Sequence, residues 1–229
     1  MTAKPILFII PGACSLGSQI ALEWLEIPYQ IGLTTPEIRS SDKFKKINPT
    51  GKVGALKDGD ITVGENLAIL LYLADKYKNK SLVPTVEFYV ERVKVYQQLS
   101  YLSSGLHPAF GQVMYSERFV TEDVVASFKK LAYQRLLDAL TYVDNHLLNN
   151  NGFFVGNSLT IVDAQAYGLL RWTLHNNKGD NLVNLAPFKH IELFLNKMQQ
   201  LKAVKNALAI ERNLPQEVTD SQFAGYYAF

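Results

Sequence analysis

The stretch Pro5-Ile6-Leu7-Phe8-Ile9-Ile10-Pro11-Gly12-Ala13-Cys14-Ser15-Leu16 sets the architecture of the first third of the chain. Residues 5–10 form an apolar run, Pro11-Gly12 interrupts it, and residues 15–26 then carry helical periodicity. A strand that turns sharply into a helix places the next side chains beside unpaired backbone N–H groups, where an anion is stabilised. Cys14 sits at that turn and is the only cysteine among 229 residues. The position favours a thiolate, which makes Cys14 the first candidate for chemistry. A lone cysteine also reads as a small buried hydrophobe.

Working outward, residues 28–33 read as a second strand and 41–47 as a short helix. Asp58-Gly59 takes positive φ easily, so 53–57 and 60–63 read as a hairpin. Residues 65–77, with Leu67, Ile69, Leu70, Leu71 and Leu73 apolar, close the unit as a helix. After a linker at 79–84 only helical periods follow, at 86–115, 122–148, 162–176, 188–201 and 203–211, the pattern of an all-α bundle. The predicted class is therefore α/β plus all-α, with domains at 1–80 and 87–229 and a boundary near residue 82. The tail from Pro215, rich in aromatics (Phe223, Tyr226, Tyr227, Phe229), is expected to pack on the body.

Charge and composition narrow the function classes. The 23 Lys+Arg against 21 Asp+Glu give a net charge of +2, and the basic cluster at 43–46 is interrupted by Phe44. That balance leaves no electrostatic footprint for nucleic acid or an anionic membrane surface. A single cysteine excludes an intrachain disulfide framework and a cysteine-based zinc site. His146, His175 and His190 lack metal-ligand spacing, and no metal is expected. No apolar run approaches the roughly 18–20 residues of a membrane span. The run after Lys4 is shorter than the roughly 7–15 residues of a secretion signal, so a cytoplasmic location is expected.

Several separate stretches together resemble the glutathione transferases, over nearly the whole length. Pro11-Gly12-Ala13-Cys14-Ser15-Leu16 is similar to the active-site turn of the bacterial, cysteine-containing (beta) class. Asn48-Pro49-Thr50-Gly51-Lys52-Val53 is similar to the loop leading into the third strand. Gly64-Glu65-Asn66, followed by Ala68-Ile69, resembles the start of the third helix, and Thr160-Ile161-Val162-Asp163-Ala164 the capping motif of a buried helix in the second domain. The resemblance implies a thioredoxin-like N-terminal domain followed by an all-helical one, with glutathione as co-substrate and a homodimer as the assembled form.

The residues support a site of that kind on physical grounds as well. Glu65 and Asn66 open a helix, whose N–H groups can hold a carboxylate while the Glu65 side chain pairs with an ammonium, as the γ-glutamyl end of glutathione requires. Plain helix N-terminal charge placement explains the same residues. The resemblance gives the Val53 backbone the role of pairing with the middle of a bound tripeptide, and Lys52 lies beside that edge, near a ligand carboxylate or simply solvated. Cys14 and Ser15 are polar groups available to the glutathione sulfur. The resemblance carries a sulfur-facing role to His107, although a histidine before Pro108 also caps freed carbonyls in a kinked helix. His107, Phe110 and Met114 recur at helical spacing as one face of a groove for an electrophile. Thr160 and Asp163 form a capping box with Leu159 as a staple, a structural role.

Two departures from the family pattern stand out. Gly54 occupies the place where the family has a cis-proline after the strand-opening valine, so the Val53–Gly54 bond is either cis or trans with a reshaped edge. Asn66 replaces a frequent serine. The chemistry implied is conjugation of glutathione to electrophilic small molecules in detoxification, or monothiol redox exchange at Cys14. A non-catalytic binding or regulatory protein on the same fold is the alternative. Tyr89, Val93, Tyr96 and Leu99 have the composition of a dimer interface.

Overall fold

The computed structural model describes residues 4–78, 81–174 and 181–229. Residues 79–80 of the expected linker, and His175 with the end of the helix expected at 162–176, lie outside them.

The first half builds a mixed sheet. β1 (Ile6–Ile9) leads through the Cys14 turn into α1 (Leu16–Leu25), and β2 (Tyr29–Leu33) returns parallel to β1. Two short helices follow where one was expected, α2 (Pro36–Ser40) and α3 (Asp42–Lys45). The extra helix starts at Pro36, whose fixed φ suits a first helical position, with the Thr35 hydroxyl accepting from Ile38 N–H. Ser41 ends α2 and caps α3 through Phe44 N–H. The hairpin forms as β3 (Ala55–Asp58) and β4 (Ile61–Gly64), with Gly59 at φ 63° in its turn, and α4 (Asn66–Lys76) closes the unit.

The second half is helical. A short 3₁₀ turn leads into α5 (Tyr89–Tyr101), a π-helical segment (Leu102–Leu106) and α6 (His107–Met114), in place of one uninterrupted helix. α7 (Val125–Asn149), α8 (Ile161–Leu170), α9 (Lys189–Gln200) and α10 (Lys202–Glu211) complete the bundle. Every residue of α8 is buried, Asp163 and Gln165 included, so the helix runs through the core. Thr160 Oγ1 accepts from Val162 N–H, and Asp163 Oδ2 accepts from Thr160 N–H at 2.8 Å, so the capping box is made. Burial pushes the Asp163 carboxyl up to about 6, against the pull of those hydrogen bonds.

The tail does more than pack on the body. β5 (Phe223–Tyr226) joins β2 in parallel and completes a five-stranded sheet in the order β4-β3-β1-β2-β5. Beyond it Tyr227 and Phe229 set their rings against Phe8, covering the sheet face that also holds Phe44. No strand signal marks that stretch, because Gly225 sits at φ 106° within a four-residue element lacking clear alternation.

The two halves meet where α1 crosses α8. A Cβ on Gly17 would stand 2.8 Å from Gln165 Cα, and one on Gly168 would stand 3.0 Å from Gly17 N and 3.2 Å from the Cys14 carbonyl. The backbones touch because neither residue has a side chain. Gly17→Ala and Gly168→Ala are each expected to cost about 1–3 kcal/mol through overpacking. Gly111→Ala in α6, where a Cβ meets nothing within 4 Å, is expected to add about 0.5–1 kcal/mol. Thermal unfolding of the three variants checks the contrast.

Candidate functional site

Cys14 lies at the end of a tight turn in which Ala13 N–H bonds Ile10 O at 3.0 Å and Gly12 takes φ 85°. The expected thiolate is not what this turn favours. The first N–H groups of α1 are occupied by the turn's own carbonyls, Leu16 N–H by Ala13 O and Gly17 N–H by Cys14 O. Cys14 is 8% exposed, and burial pushes its thiol up to about 11. Its own backbone N–H and the Arg171 charge pull the other way, and Glu65 adds to the rise. Ser15 caps α1 by position only: its hydroxyl is fully buried and makes no hydrogen bond within the protein.

Asn66 corrects another expectation. Its side chain is turned inward, where Nδ2 donates to Cys14 O at 3.0 Å and to Gln165 Oε1, and Oδ1 accepts from Ser18 Oγ. It therefore joins the thiol turn, α1 and α8, and leaves only its backbone N–H for a ligand at the start of α4. Glu65 has the opposite disposition. It is exposed at φ 66°, ψ 120°, an uncommon conformation for a residue with a side chain, and it forms the cap position of α4.

On the strand side, Asn48 shapes the loop. Its Oδ1 accepts from Thr50 N–H and Oγ1, and its Nδ2 donates to Lys52 O at 2.7 Å. Lys52 is exposed, Val53 is half-buried, and both precede β3, outside its ladders with β1 and β4. The Val53–Gly54 peptide is cis. His107 follows the π-helical segment, a local widening common at functional positions. Burial lowers its pKa, Glu65 pulls it up and Lys52 pushes it down. Its ring meets Trp172 at 5.3 Å between centroids, and Trp172 meets Phe110 edge-on at 5.5 Å.

Asn66 Nδ2 on Cys14 O, and Trp172, which donates to Gly12 O with its ring against His107, bring the thiol turn, the start of α4 and α6 around one region. Thr160 and Asp163 stand apart from it, in the capping box of α8. Sequence reasoning missed Arg171, Trp172 and Glu211. Arg171 Nη2 donates to Ala13 O, Trp172 Nε1 donates to Gly12 O, and Glu211 accepts from Gly12 N–H. No local pattern marks residues that act across such sequence distances. Among the described residues no group of His, Cys, Asp and Glu is arranged to hold a metal ion, and no helix is long and apolar enough to cross a membrane.

Comparison with known proteins gives the family. Residues 18–81 match the family model for the glutathione S-transferase N-terminal domain, and residues 105–211 that for the C-terminal domain. Glutathione S-transferase GstA of Escherichia coli O157:H7 is 30% identical over 209 residues, covering 90% of this chain and 98% of that protein. The chain belongs to the glutathione S-transferase family. Among solved glutathione S-transferases, a sphingomonad protein complexed with glutathione is 30% identical with a TM-score of 0.76, over 90% of this chain and 98% of its own. A bacterial beta-class enzyme from Sphingomonas chungbukensis is 28% identical with a TM-score of 0.76, over the same shares.

Against the glutathione S-transferase pattern, Gly54 and Asn66 form a matched pair. A Cβ at residue 54 would stand 3.1 Å from Asn66 Oδ1 and 3.3 Å from Ile69 Cδ1, tighter than ordinary contact. Gly54→Ala is expected to cost about 1–3 kcal/mol, and less than about 1 kcal/mol when introduced alongside Asn66→Ser, which withdraws the crowding oxygen. Denaturant unfolding of the double-mutant cycle checks the coupling; additive effects contradict it.

Proposed function

We propose that the protein conjugates glutathione to small aromatic electrophiles. The observation that supports the reading is that Asn66, at the start of α4, donates to Cys14 O, while Trp172 donates to Gly12 O and rests its ring on His107, so that a thiol, an imidazole and the helix start beside Glu65 share one region. Glutathione would lie with its sulfur at Cys14 and Ser15, its middle along the Val53 backbone and its γ-glutamyl carboxylate on Asn66 N–H. Its ammonium would pair with Glu65, and Lys52 would face a glycyl carboxylate. His107 and Trp172 would offer aromatic faces to a flat electrophile, whereas Phe110, expected on the same groove face, is fully buried behind Trp172, and Met114 is half-buried.

The state of Cys14 favours conjugation over redox exchange. A thiol held near 11 stays protonated at neutral pH and is a hydrogen-bond donor, whereas exchange needs its thiolate. In conjugation the Cys14 S–H would stabilise the glutathione thiolate, while the Ser15 hydroxyl, expected beside it, is fully buried. That sulfur attacks the electrophilic carbon, a C–S bond forms, the leaving group departs with its electron pair, and the thiol proton passes to solvent. His107, whose pKa burial lowers, would accept the thiol proton and pass it on to that solvent.

The reading extends to organisation. The first domain, 1–80, would bind glutathione and the second, 87–229, the electrophile, with β5 strapped back across the first. Tyr89, Val93 and Tyr96 are exposed at 70%, 56% and 38% and would meet a second copy in a homodimer, joined by Val86 and Phe88. Leu99, expected in that interface, is fully buried in the core. A cytoplasmic role in detoxification fits a glutathione-dependent conjugating enzyme. A non-catalytic binding protein is the second reading, favoured by the inward turn of the Asn66 side chain.

Turnover of an aromatic halide with glutathione tests the reading. Glu65→Ala is expected to raise KM for glutathione about 10–100-fold, the loss of one charged hydrogen bond, and Cys14→Ala to lower kcat no more than about tenfold, since one donor is lost. Equal, negligible rates in all three proteins sink the transferase reading in favour of the binding protein. Separately, the pH dependence of Cys14 alkylation by iodoacetamide is expected to rise toward a midpoint near 11. A midpoint below about 8, the range of an activated thiolate, contradicts the hydrogen-bond-donor role.

A further inference from the structure

The turn carrying Cys14 is held from the helical domain at three points. Glu211, in the last turn of α10, accepts from Gly12 N–H at 2.8 Å, Arg171 Nη2 donates to Ala13 O at 2.9 Å, and Trp172 Nε1 donates to Gly12 O at 2.8 Å. Arg171 and Glu211 also clasp each other in a bidentate pair, Nη1 to Oε2 at 2.6 Å and Nη2 to Oε1 at 2.9 Å, with side chains 11% and 5% exposed. A planar guanidinium bound this way has one orientation, so the carbonyl it reaches is fixed in space. The turn supplies little of its own restraint. Pro11 and Gly12 are exposed, Ala13 is half-buried, and Gly12 at φ 85° has no side chain to anchor.

We propose that Arg171 and Glu211 are positioning residues, which set the place of the Cys14 thiol from the second domain by gripping the backbone of Gly12 and Ala13. Trp172 is the third contact, and it links the grip to the electrophile side, because its ring rests against His107 and Phe110. The role rests on the transferase reading for its catalytic meaning and on the hydrogen bonds for its geometry. Around the thiol, the charge from the helical domain is Arg171 and the charge from α4 is Glu65.

The test is the double variant R171M/E211L, since replacing a buried ion pair by apolar side chains of similar volume commonly preserves stability. Cys14 is the only cysteine in the chain, so whole-protein mass after iodoacetamide treatment reads this thiol alone. With the grip released, alkylation at pH 8 is expected to rise at least about tenfold and kcat/KM for glutathione to fall at least about tenfold, while the exposed-residue control Arg212→Gln leaves both unchanged. A folded double variant with wild-type alkylation and wild-type glutathione kinetics overturns the proposal and makes the pair a domain fastener only. Where that variant does not fold, Trp172→Phe removes one hydrogen bond and keeps a ring against His107. It is expected to raise alkylation about two- to threefold, the scale of one neutral hydrogen bond, and no change in the folded protein overturns the proposal. Alkylation needs no turnover, so a wild type without transferase activity sinks the functional reading and still leaves the grip measurable.

Discussion

The close approach of Gly17 and Gly168 governs the rest of the structure. It brings α8, buried along its whole length, against the backbone of the thiol turn, so that Gly168 lies beside the Cys14 carbonyl. A helix that close to a turn carries whatever follows it to the same place. Arg171 and Trp172 are the first residues after α8, and they reach Ala13 and Gly12 without further adjustment. The capping box of Thr160 and Asp163 closes the other end of α8.

The interface between the halves is polar at points where an apolar seam would have sufficed. Asn66 ties Cys14 O, Ser18 and Gln165 together, and Glu23 gathers Tyr29, Asn206 and Ser221 at the far end of α1. Buried donors and acceptors of this kind have one satisfactory arrangement, whereas leucines tolerate many. Their cost is exacting geometry, and Gly54 shows it: the residue beside Asn66 Oδ1 has to be small. What looked like two separate departures from the family pattern is one local solution, in which a side chain otherwise free for ligand binding holds the domains together.

The sequence revealed the elements better than their contacts. Apolar runs, the Asp58-Gly59 turn and long helical periods made both halves legible, because those signals are local. The short helix at Pro36 was missed although Thr35 and Pro36 mark a helix start, since five residues are too few to display a period. β5 was missed for the related reason that a four-residue edge strand depends on β2 for its shape. Of the site, Cys14, Glu65 and His107 were visible by position and resemblance. Gly12 and Glu211, 199 residues apart, were not, since nothing along the chain relates a glycine turn to a glutamate ending the last helix.

Cys14 shows why position in a fold does not settle protonation. A helix start stabilises an anion through N–H groups that lack partners. Here the tight turn feeds its own carbonyls to those groups, and burial removes water from the sulfur. One cation, Arg171, opposes them, and much of its charge is answered by Glu211. Burial therefore wins, and the same packing that positions the thiol withholds its negative charge. In the proposed conjugation such a thiol would lend a hydrogen bond to a bound sulfur more readily than it would supply a nucleophile of its own.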